Sequence, residues 1–264
     1  MQTQFLPADA AERFRTDGYV IVPRLLSPEE TDLLGQVARM DRELAAARTG
    51  RADGEGGSVD LVVRNELADD NIYGAIVRAE PLVTAMEQLL GDEVYHYHHK
   101  MILKEPRTGG AWTWHQDYGY WYNNGCLYPD MGSCMIAVDK ATRENGCLQV
   151  VRGSHAFGRV DHVQRGDQTG ADPERVGAAL QRLEKVYVEL DPGAGVIFHG
   201  NTLHRSDQNK SENARWAFIC CYNTRHNDPY KASKHPNYSP LERWPADRIA
   251  EIGRQQLQQL ASAV

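Results

Sequence analysis

The sequence predicts a mainly β fold with flanking helices, of the sandwich or jelly-roll class. From about residue 94 onward it consists of short β-rich runs, and turn-forming Gly, Pro, Asn and Asp residues separate these runs. Few long helical patterns intervene, which favours a sandwich or jelly roll over a parallel sheet. Because we find no repeat, linker or low-complexity segment, residues 1–264 are expected to form one domain with its β core at about 94–225.

Composition and charge restrict the class of protein. The 264 residues are 41% hydrophobic and 25% charged, which is typical of a globular domain. The net charge is −7 without a basic stripe, so nucleic acid is not an expected partner. The sequence has no apolar run near the roughly 18 residues that would span a membrane, and its first residues do not have the pattern of a signal peptide. Five scattered cysteines without a CxxC pair indicate reduced thiols and a cytoplasmic protein.

The N-terminal part carries clear helix signals. Residues 17–26 read as a short apolar strand that follows a helix. A second helix is predicted over 27–44, where Ser27 is the candidate N-cap and Pro28 occupies the first helical position. Glu30 completes a capping box with Ser27. This helix and the one before it are expected to pack on the β core.

The remaining non-β segments are predicted as follows. Residues 48–58 are polar and rich in Gly, and we expect a loop there. Residues 82–91 form a helix that Gly91 ends. Residues 156–185 interrupt the strand pattern and contain helix signals, so they are read as an insertion. After Tyr230 a Pro-rich polar stretch leads into a C-terminal helix.

A histidine and an aspartate stand two residues apart within the aromatic stretch "WTWHQDYGYW". On a strand, His115 and Asp117 would point to the same side. A third ligand from a distant strand, either His199 or His204, would complete two histidines and one carboxylate. This set holds Fe(II) in non-haem oxygenases and leaves other coordination positions open. The alternative is a core strand that carries an incidental polar pair.

Arg215 follows His204 by eleven residues and stands at the start of an apolar run. A guanidinium buried at that point needs a planar anion, because its fork of N–H groups matches a carboxylate. The distal carboxylate of 2-oxoglutarate is such an anion. The alternative for Arg215 is a salt bridge at the rim of the fold.

These segments together resemble the phytanoyl-CoA dioxygenase family of Fe(II)/2-oxoglutarate-dependent oxygenases, whose relatives include ectoine hydroxylase. The resemblance extends from about residue 15 to 225. It is carried by "DGYVIVPRLLSPEE", "WHQD", "NGCLQVVRGSH" and "GAGVIFHGNTLHRSDQNKSENAR". It implies a double-stranded β-helix, the cupin-like jelly roll, with Fe(II), 2-oxoglutarate and O₂ as cofactor and cosubstrates. It also implies hydroxylation, or another oxidation, of an unactivated C–H bond in a small and polar metabolite or natural-product intermediate.

The resemblance also assigns roles residue by residue. The implied iron ligands are His115, Asp117 and His204. The implied contacts of 2-oxoglutarate are Arg215, Ser206 and Trp112, with Lys104 as a further candidate. The candidate contacts of the substrate are Trp121, Tyr118, His98, Lys100 and Arg225. Which face of the strand over 95–104 lines the pocket stays open at this point. In the halogenating branch of these enzymes the carboxylate position is a small residue, so an aspartate at 117 favours hydroxylation.

Two other functions remain open from the sequence. One is a jelly roll that binds metal and 2-oxoglutarate without turnover, and the other is a zinc hydrolase that uses the same three ligands. "GSH" at 153–155 and His199 are expected to be structural. The expected partner is a small-molecule substrate, and the sequence does not define an oligomeric state.

Overall fold

The computed structural model describes residues 5–53, 56–165 and 167–263, and its strands form two facing antiparallel sheets and a hairpin. In chain order the strands are β1 (Tyr19–Val22), β2 (Thr49–Ala52), β3 (Ser58–Arg64), β4 (Val94–Lys104), β5 (Trp112–His115), β6 (Met131–Ala137), β7 (Leu148–Val151), β8 (His162–Arg165), β9 (Gln168–Ala171), β10 (Lys185–Val188), β11 (Gly195–His199), β12 (His204–Ser206) and β13 (Arg215–Thr224). The larger sheet has the order β1-β11-β6-β13-β4-β3-β2, and the smaller has the order β10-β7-β12-β5. Within the described residues, strands β8 and β9 pair only with each other.

In chain order the helices are α1 (Ala10–Asp17), α2 (Pro28–Met40), α3 (Arg42–Ala46), α4 (Ile72–Arg78), α5 (Glu80–Leu90), α6 (Asp117–Trp121), α7 (Pro173–Arg182) and α8 (Arg248–Ser262). All of these helices except α6 and α7 contribute to the core on the outer face of the larger sheet. Among the described residues, no helix is long and apolar enough to cross a membrane.

The two faces of the larger sheet belong to separate apolar cores. One core lies against the helices and includes Leu34, Ile76, Met86, Phe218 and Tyr222. The other lies between the sheets and includes Tyr97, Met135, Val150, Phe198 and Ile219. Alternation along β13 explains this division, because Phe218 and Ile219 point to opposite faces. The predicted jelly roll with flanking helices is confirmed.

The capping box at the start of α2 is present as predicted. The Ser27 hydroxyl accepts from the Glu30 N–H, and the Glu30 carboxylate accepts from the Ser27 N–H. The helix ends earlier than predicted, at Met40. Asp41 leaves the helical conformation, and its side chain accepts from the Leu44 N–H to cap α3. The sequence does not reveal this break, because Asp41, the N-cap of α3, lies within a continuous helical pattern.

The loop predicted over 48–58 is wrong for most of its length. Thr49–Ala52 pairs with Ser58–Arg64 as the edge hairpin of the larger sheet, although Gly50 disfavours a strand. Pairing with the neighbouring β3 outweighs that local preference. Residues 54 and 55 lie outside the described part of the chain.

The other predicted helices are confirmed. The helix α5 ends at Gly91, which adopts a left-handed conformation with φ of +79°. The helix α7 lies within the segment predicted as an insertion, and α8 follows the Pro-rich stretch.

We predict that Ser27→Ala lowers the free energy of unfolding by about 1 kcal/mol, because the Glu30 N–H loses its side-chain partner. Urea unfolding followed by circular dichroism measures the change. Ser262→Ala, which removes a hydroxyl at the exposed end of α8, is the control and is expected to stay within about 0.5 kcal/mol of wild type. Equal losses in the two variants would contradict the role of the capping box.

Candidate metal centre and cosubstrate site

Three buried side chains converge between the sheets. His115, Asp117 and His204 each offer one ligand atom, and these atoms lie within 4.8 Å of one another. The Asp117 Oδ1 atom is 3.9 Å from His115 Nε2 and 4.0 Å from His204 Nε2. Two imidazoles and one carboxylate that leave other positions open are the ligand type of non-haem Fe(II). The donor set therefore fits this metal.

Backbone carbonyls set the tautomer of both histidines. His115 Nδ1 lies 2.9 Å from the Thr113 oxygen, and His204 Nδ1 lies 2.8 Å from the Thr202 oxygen. Since a carbonyl can only accept, each Nδ1 donates and each Nε2 keeps a free lone pair. Burial lowers the pKa of both imidazoles, which keeps the rings neutral. Both histidines are thus ready to bind a cation through Nε2.

Strand pairing brings the two histidines together. His204 in β12 is directly opposite His115 in β5, and their ring centroids are 4.0 Å apart. Their separation in sequence is large, but neighbouring strands of one sheet place them side by side. His115 and His204 are the two ligands that the sequence assigned to the site from distant strands.

Asp117 reaches the site by a different route from the predicted one. Strand β5 ends at His115, and Asp117 is the first residue of α6, so the prediction that both lie on one strand is wrong. The buried Gln116 side chain fixes the turn by bonding to the backbone at Gly158, Val160 and Asn201. The carboxylate converges on the histidines because the chain turns there, not because side chains alternate.

Ser133 is a site residue that the sequence analysis missed. Its hydroxyl, on β6 of the opposite sheet, donates to Asp117 Oδ2 at 2.6 Å. Oδ1 is therefore left to face the histidines. Burial alone would raise the pKa of Asp117, but the charge of Lys100, 3.9 Å away, helps to hold that pKa well below its usual range. No local motif marks Ser133, since only sheet packing brings it to Asp117.

Arg215 is buried without an anionic partner. Its guanidinium is within the interior, with the residue 3% exposed. One N–H group donates to the Gly146 oxygen at 2.6 Å, whereas Nε has no hydrogen-bond partner. Within the described ranges, no carboxylate lies at ion-pair distance from it. Burial lowers the pKa of Arg215 to about 10, so it remains a cation at neutral pH.

Lys104 is directly opposite Arg215 across β4 and β13. Its ammonium donates to the Asp207 carbonyl oxygen. Burial and the neighbouring Arg215 charge lower the pKa of Lys104 well below its usual value. Two basic side chains side by side in the interior are costly unless an anion joins them. The pair therefore fits the distal carboxylate of 2-oxoglutarate.

The other two predicted cosubstrate contacts lie on the strands that carry the histidine ligands. Ser206 is buried two residues after His204, and it pairs with Trp112 across β12 and β5. The Trp112 ring stands edge-on to His115, with centroids 6.0 Å apart. The geometry leaves the roles of Ser206 and Trp112 as predictions.

The predicted substrate contacts do not all lie at the site. Trp121, His98 and Lys100 lie together beside the ligand set: Trp121 packs edge-on against His98, and Lys100 reaches Asp117. Tyr118 is buried with its hydroxyl bonded to the carbonyl oxygens of residues 126 and 127. Arg225 is elsewhere, since its guanidinium pairs with Glu93 and is largely exposed.

The face of β4 left open by the sequence is now defined. His98, Lys100 and Lys104 point toward the site. His96 and His99 point to the helices, where His96 Nε2 lies 3.1 Å from His99 Nδ1. The histidines of this strand therefore point to both of its faces.

His199 and the "GSH" turn are structural, as expected. The Ser154 hydroxyl accepts from the Leu203 N–H, and His155 bonds to the Arg15 carbonyl oxygen. His199 accepts from the Asn201 N–H and packs against Phe14, outside the ligand set.

Comparisons with known proteins agree with this site. The model of the phytanoyl-CoA dioxygenase family matches residues 14–217. The chain belongs to the phytanoyl-CoA dioxygenase family. It is 30% identical over 263 residues to L-proline trans-4-hydroxylase of Streptomyces griseoviridis, a match that covers 91% of this chain and 97% of that protein. It is also 30% identical to ectoine dioxygenase of Bordetella bronchiseptica, over 88% of this chain and 80% of the relative.

A solved structure shows the same fold. EctD from S. alaskensis with 2-oxoglutarate and 5-hydroxyectoine superposes with a TM-score of 0.76 at 21% identity, over 93% of this chain and 90% of that chain. As a family member with the His115–Asp117–His204 set, the chain is an Fe(II)- and 2-oxoglutarate-dependent dioxygenase that acts on a small molecule.

We predict that His204→Ala abolishes stoichiometric Fe(II) binding, because one of three ligands is lost. Anaerobic reconstitution followed by metal analysis measures this. His199→Ala, which removes a neighbouring histidine outside the ligand set, is the matched control and is expected to retain iron. Loss of iron in His199→Ala but not in His204→Ala would contradict the assignment.

A second prediction concerns Ser133. Ser133→Ala should weaken Fe(II) binding on the order of 10- to 100-fold, because Asp117 Oδ2 loses the donor that orients the carboxylate. Competition with a metal chelator measures the affinity. Ser211→Ala removes a buried serine hydroxyl in the loop before β13 and is the control. Unchanged affinity in Ser133→Ala would show that Asp117 needs no such support.

Proposed function

We propose that His115, Asp117 and His204 hold one Fe(II) and that the chain hydroxylates a C–H bond of a small polar metabolite. The histidines supply neutral nitrogen donors, and Asp117 supplies a negative charge that lowers the cost of holding a dication. When bound, Fe(II) together with 2-oxoglutarate activates O₂ for the oxidation of an unactivated C–H bond.

The observation that carries this proposal is the buried and unpaired Arg215. A metal hydrolase that used the same three ligands would have no use for a buried cation without a counter-charge. A site that bound a metal alone would not need it either, whereas a jelly roll that binds 2-oxoglutarate without turnover is separated from an enzyme by the release of succinate. Arg215, with Lys104 beside it, gives the distal carboxylate of 2-oxoglutarate a charge-assisted partner. We propose that the Ser206 hydroxyl helps to hold the same carboxylate and that the Trp112 ring packs against the cosubstrate.

Aromatic residues surround the ligand set and would keep water from it. Trp112 and Tyr120 pack against His115 on one side, with ring centroids 6.0 and 5.6 Å from that histidine. On the other side stand Trp121 and Tyr97, 5.6 Å apart. Exclusion of water protects a strongly oxidising site from side reactions.

We also propose that the protein acts in the cytoplasm. Its five cysteines are all buried and free, although Cys134 and Cys220 are directly opposite each other on neighbouring strands. Reduced thiols at such close positions fit a reducing compartment.

Succinate release from 2-oxoglutarate tests the reaction class. Wild-type protein with Fe(II), ascorbate and a mixture of amino acids should release succinate, and replacement of Fe(II) by Zn(II) should abolish the release. Metal-independent activity, or activity with Zn(II) alone, would contradict an iron-dependent oxygenase.

We predict that Arg215→Ala raises the KM for 2-oxoglutarate roughly 30- to 1000-fold, because a charge-assisted pair with the cosubstrate is lost. Arg215→Lys should recover only part of the lost affinity for 2-oxoglutarate, since an ammonium lacks the planar fork of a guanidinium. Steady-state kinetics at varied 2-oxoglutarate measure KM.

A control for loss of a buried guanidinium is available. Arg78→Lys alters a buried arginine that pairs with Asp69 and lies over the Trp244 ring, away from the site. Its KM for 2-oxoglutarate should equal that of wild type. If Arg215→Ala also leaves KM unchanged, Arg215 does not bind the cosubstrate.

A further inference from the structure

The segment between β13 and α8 brings a histidine to the pocket that no motif marked. The His235 ring stacks on Tyr97, with centroids 4.7 Å apart and planes within 18°. The same ring is 5.3 Å from His98. His235 therefore lies against the residues that form the pocket wall beside Lys100.

An irregularity in β4 makes this contact possible. Pairing with β13 passes from His98 opposite Cys221 to His96 opposite Tyr222, so Tyr97 is an extra residue in the strand. Such a bulge interrupts alternation and turns two successive side chains toward one face. Tyr97 and His98 accordingly both contact Trp121, at centroid distances of 5.6 and 6.0 Å.

Two buried ring nitrogens at this point have no partner. Nδ1 of His98 and Nδ1 of His235 are both without a hydrogen bond within the described part of the chain. His98 is fully interior, and a buried polar atom left unpaired costs about 1–3 kcal/mol. Burial lowers the pKa of His98, and it lowers the pKa of His235 to about 4, so both rings are neutral and each can donate one proton. The two imidazoles are thus free to donate to a bound acceptor.

A buried cation completes the group. Lys100 lies 3.9 Å from Asp117 Oδ1, and among the described residues that is its ion pair. The same oxygen faces both histidine ligands and would bind the metal. Once a metal cation binds that oxygen, the negative charge of Asp117 is shared with the metal, and Lys100 lacks a full opposing charge. One ammonium and two imidazole donors then share a pocket with aromatic walls.

We propose that His235 contacts the substrate directly and, with His98 and Lys100, binds a carboxylate group of it. This inference rests on the proposed function and narrows the substrate to a small carboxylic acid of the amino-acid type. The carboxylate accepts from the ammonium and the imidazoles. The carbon skeleton lies beside Trp121, within reach of the iron site.

His235 is held by anchors on both sides of the segment. The Lys234 oxygen accepts from the Asn65 side chain at 2.8 Å, and the Tyr238 hydroxyl donates to Glu93 at 2.7 Å. Arg225 lies over the Tyr238 ring at 5.3 Å. Arg225 therefore supports the segment that carries His235, although it does not itself lie at the site.

The test first screens the twenty protein amino acids, including L-proline, with wild type. The amino acid that most accelerates succinate release is then used as the probe. His235→Phe keeps a stacking ring and removes the donor, so it should raise the KM for that probe roughly 10- to 100-fold. The KM for 2-oxoglutarate should change far less. His235→Gln keeps a donor and should recover part of the loss.

Two comparisons make the result specific. His226→Phe removes an exposed histidine that pairs with Asp92 and Asp130, and its KM for the probe should match wild type. The amine that corresponds to the probe without its carboxylate (pyrrolidine for L-proline) should show little difference between wild type and His235→Phe. Anaerobic calorimetry of the protein with Fe(II) and 2-oxoglutarate measures probe affinity apart from turnover.

Failure of the inference is distinguishable from failure of the proposed function. If wild type forms succinate from 2-oxoglutarate with Fe(II) but no amino acid accelerates this, the carboxylate assignment is overturned and the reaction class stands. An unchanged probe KM and affinity in His235→Phe would likewise overturn the inference. Absence of any succinate would instead contradict the proposed function.

Discussion

The pairing of β12 with β5 is the constraint on which the site depends. It places His204 opposite His115, so that two imidazoles from distant parts of the chain present Nε2 to one point. Carbonyl groups two residues before each histidine, at Thr113 and Thr202, hold both rings in the same tautomer. The carboxylate arrives from α6 and is anchored by Ser133 across the core. The two sheets therefore have to pack face to face before the ligand set is complete, and the geometry is a product of the whole jelly roll.

Charge is distributed unevenly within this core. Basic side chains approach the ligand set from β4 and β13, while Asp117 is the acidic group that faces it. Such an interior is unfavourable as it stands, because buried charges are stable only when they are paired. A dicarboxylate beside Arg215 would pair that cation, and a dication at the ligand set would pair Asp117, although the two together add no net charge. The fold holds these groups in place ahead of binding, which reduces the reorganisation that binding requires.

Local signals in the sequence predicted the features that have local causes. The capping box at Ser27 and the end of α5 at Gly91 depend on neighbouring residues, and both are confirmed. The ligand set could be assigned through the resemblance to the family, because the residues alone left His199 and His204 as alternatives. Ser133 and His235 could not, because they reach the site through sheet packing and a long connection. The bulge at Tyr97 was also not predicted, since the expected pattern of a strand assumes unbroken alternation of side chains.

The origin of the oxygen atoms tests the central claim most directly. The protein, with Fe(II), 2-oxoglutarate and the amino acid that most accelerates succinate release, is incubated under ¹⁸O₂, and both products are analysed by mass spectrometry. An Fe(II)/2-oxoglutarate hydroxylase should give equal amounts of succinate and hydroxylated product, with one ¹⁸O atom in each. Product that carries oxygen from water alone, or that forms without matching succinate, would contradict the account.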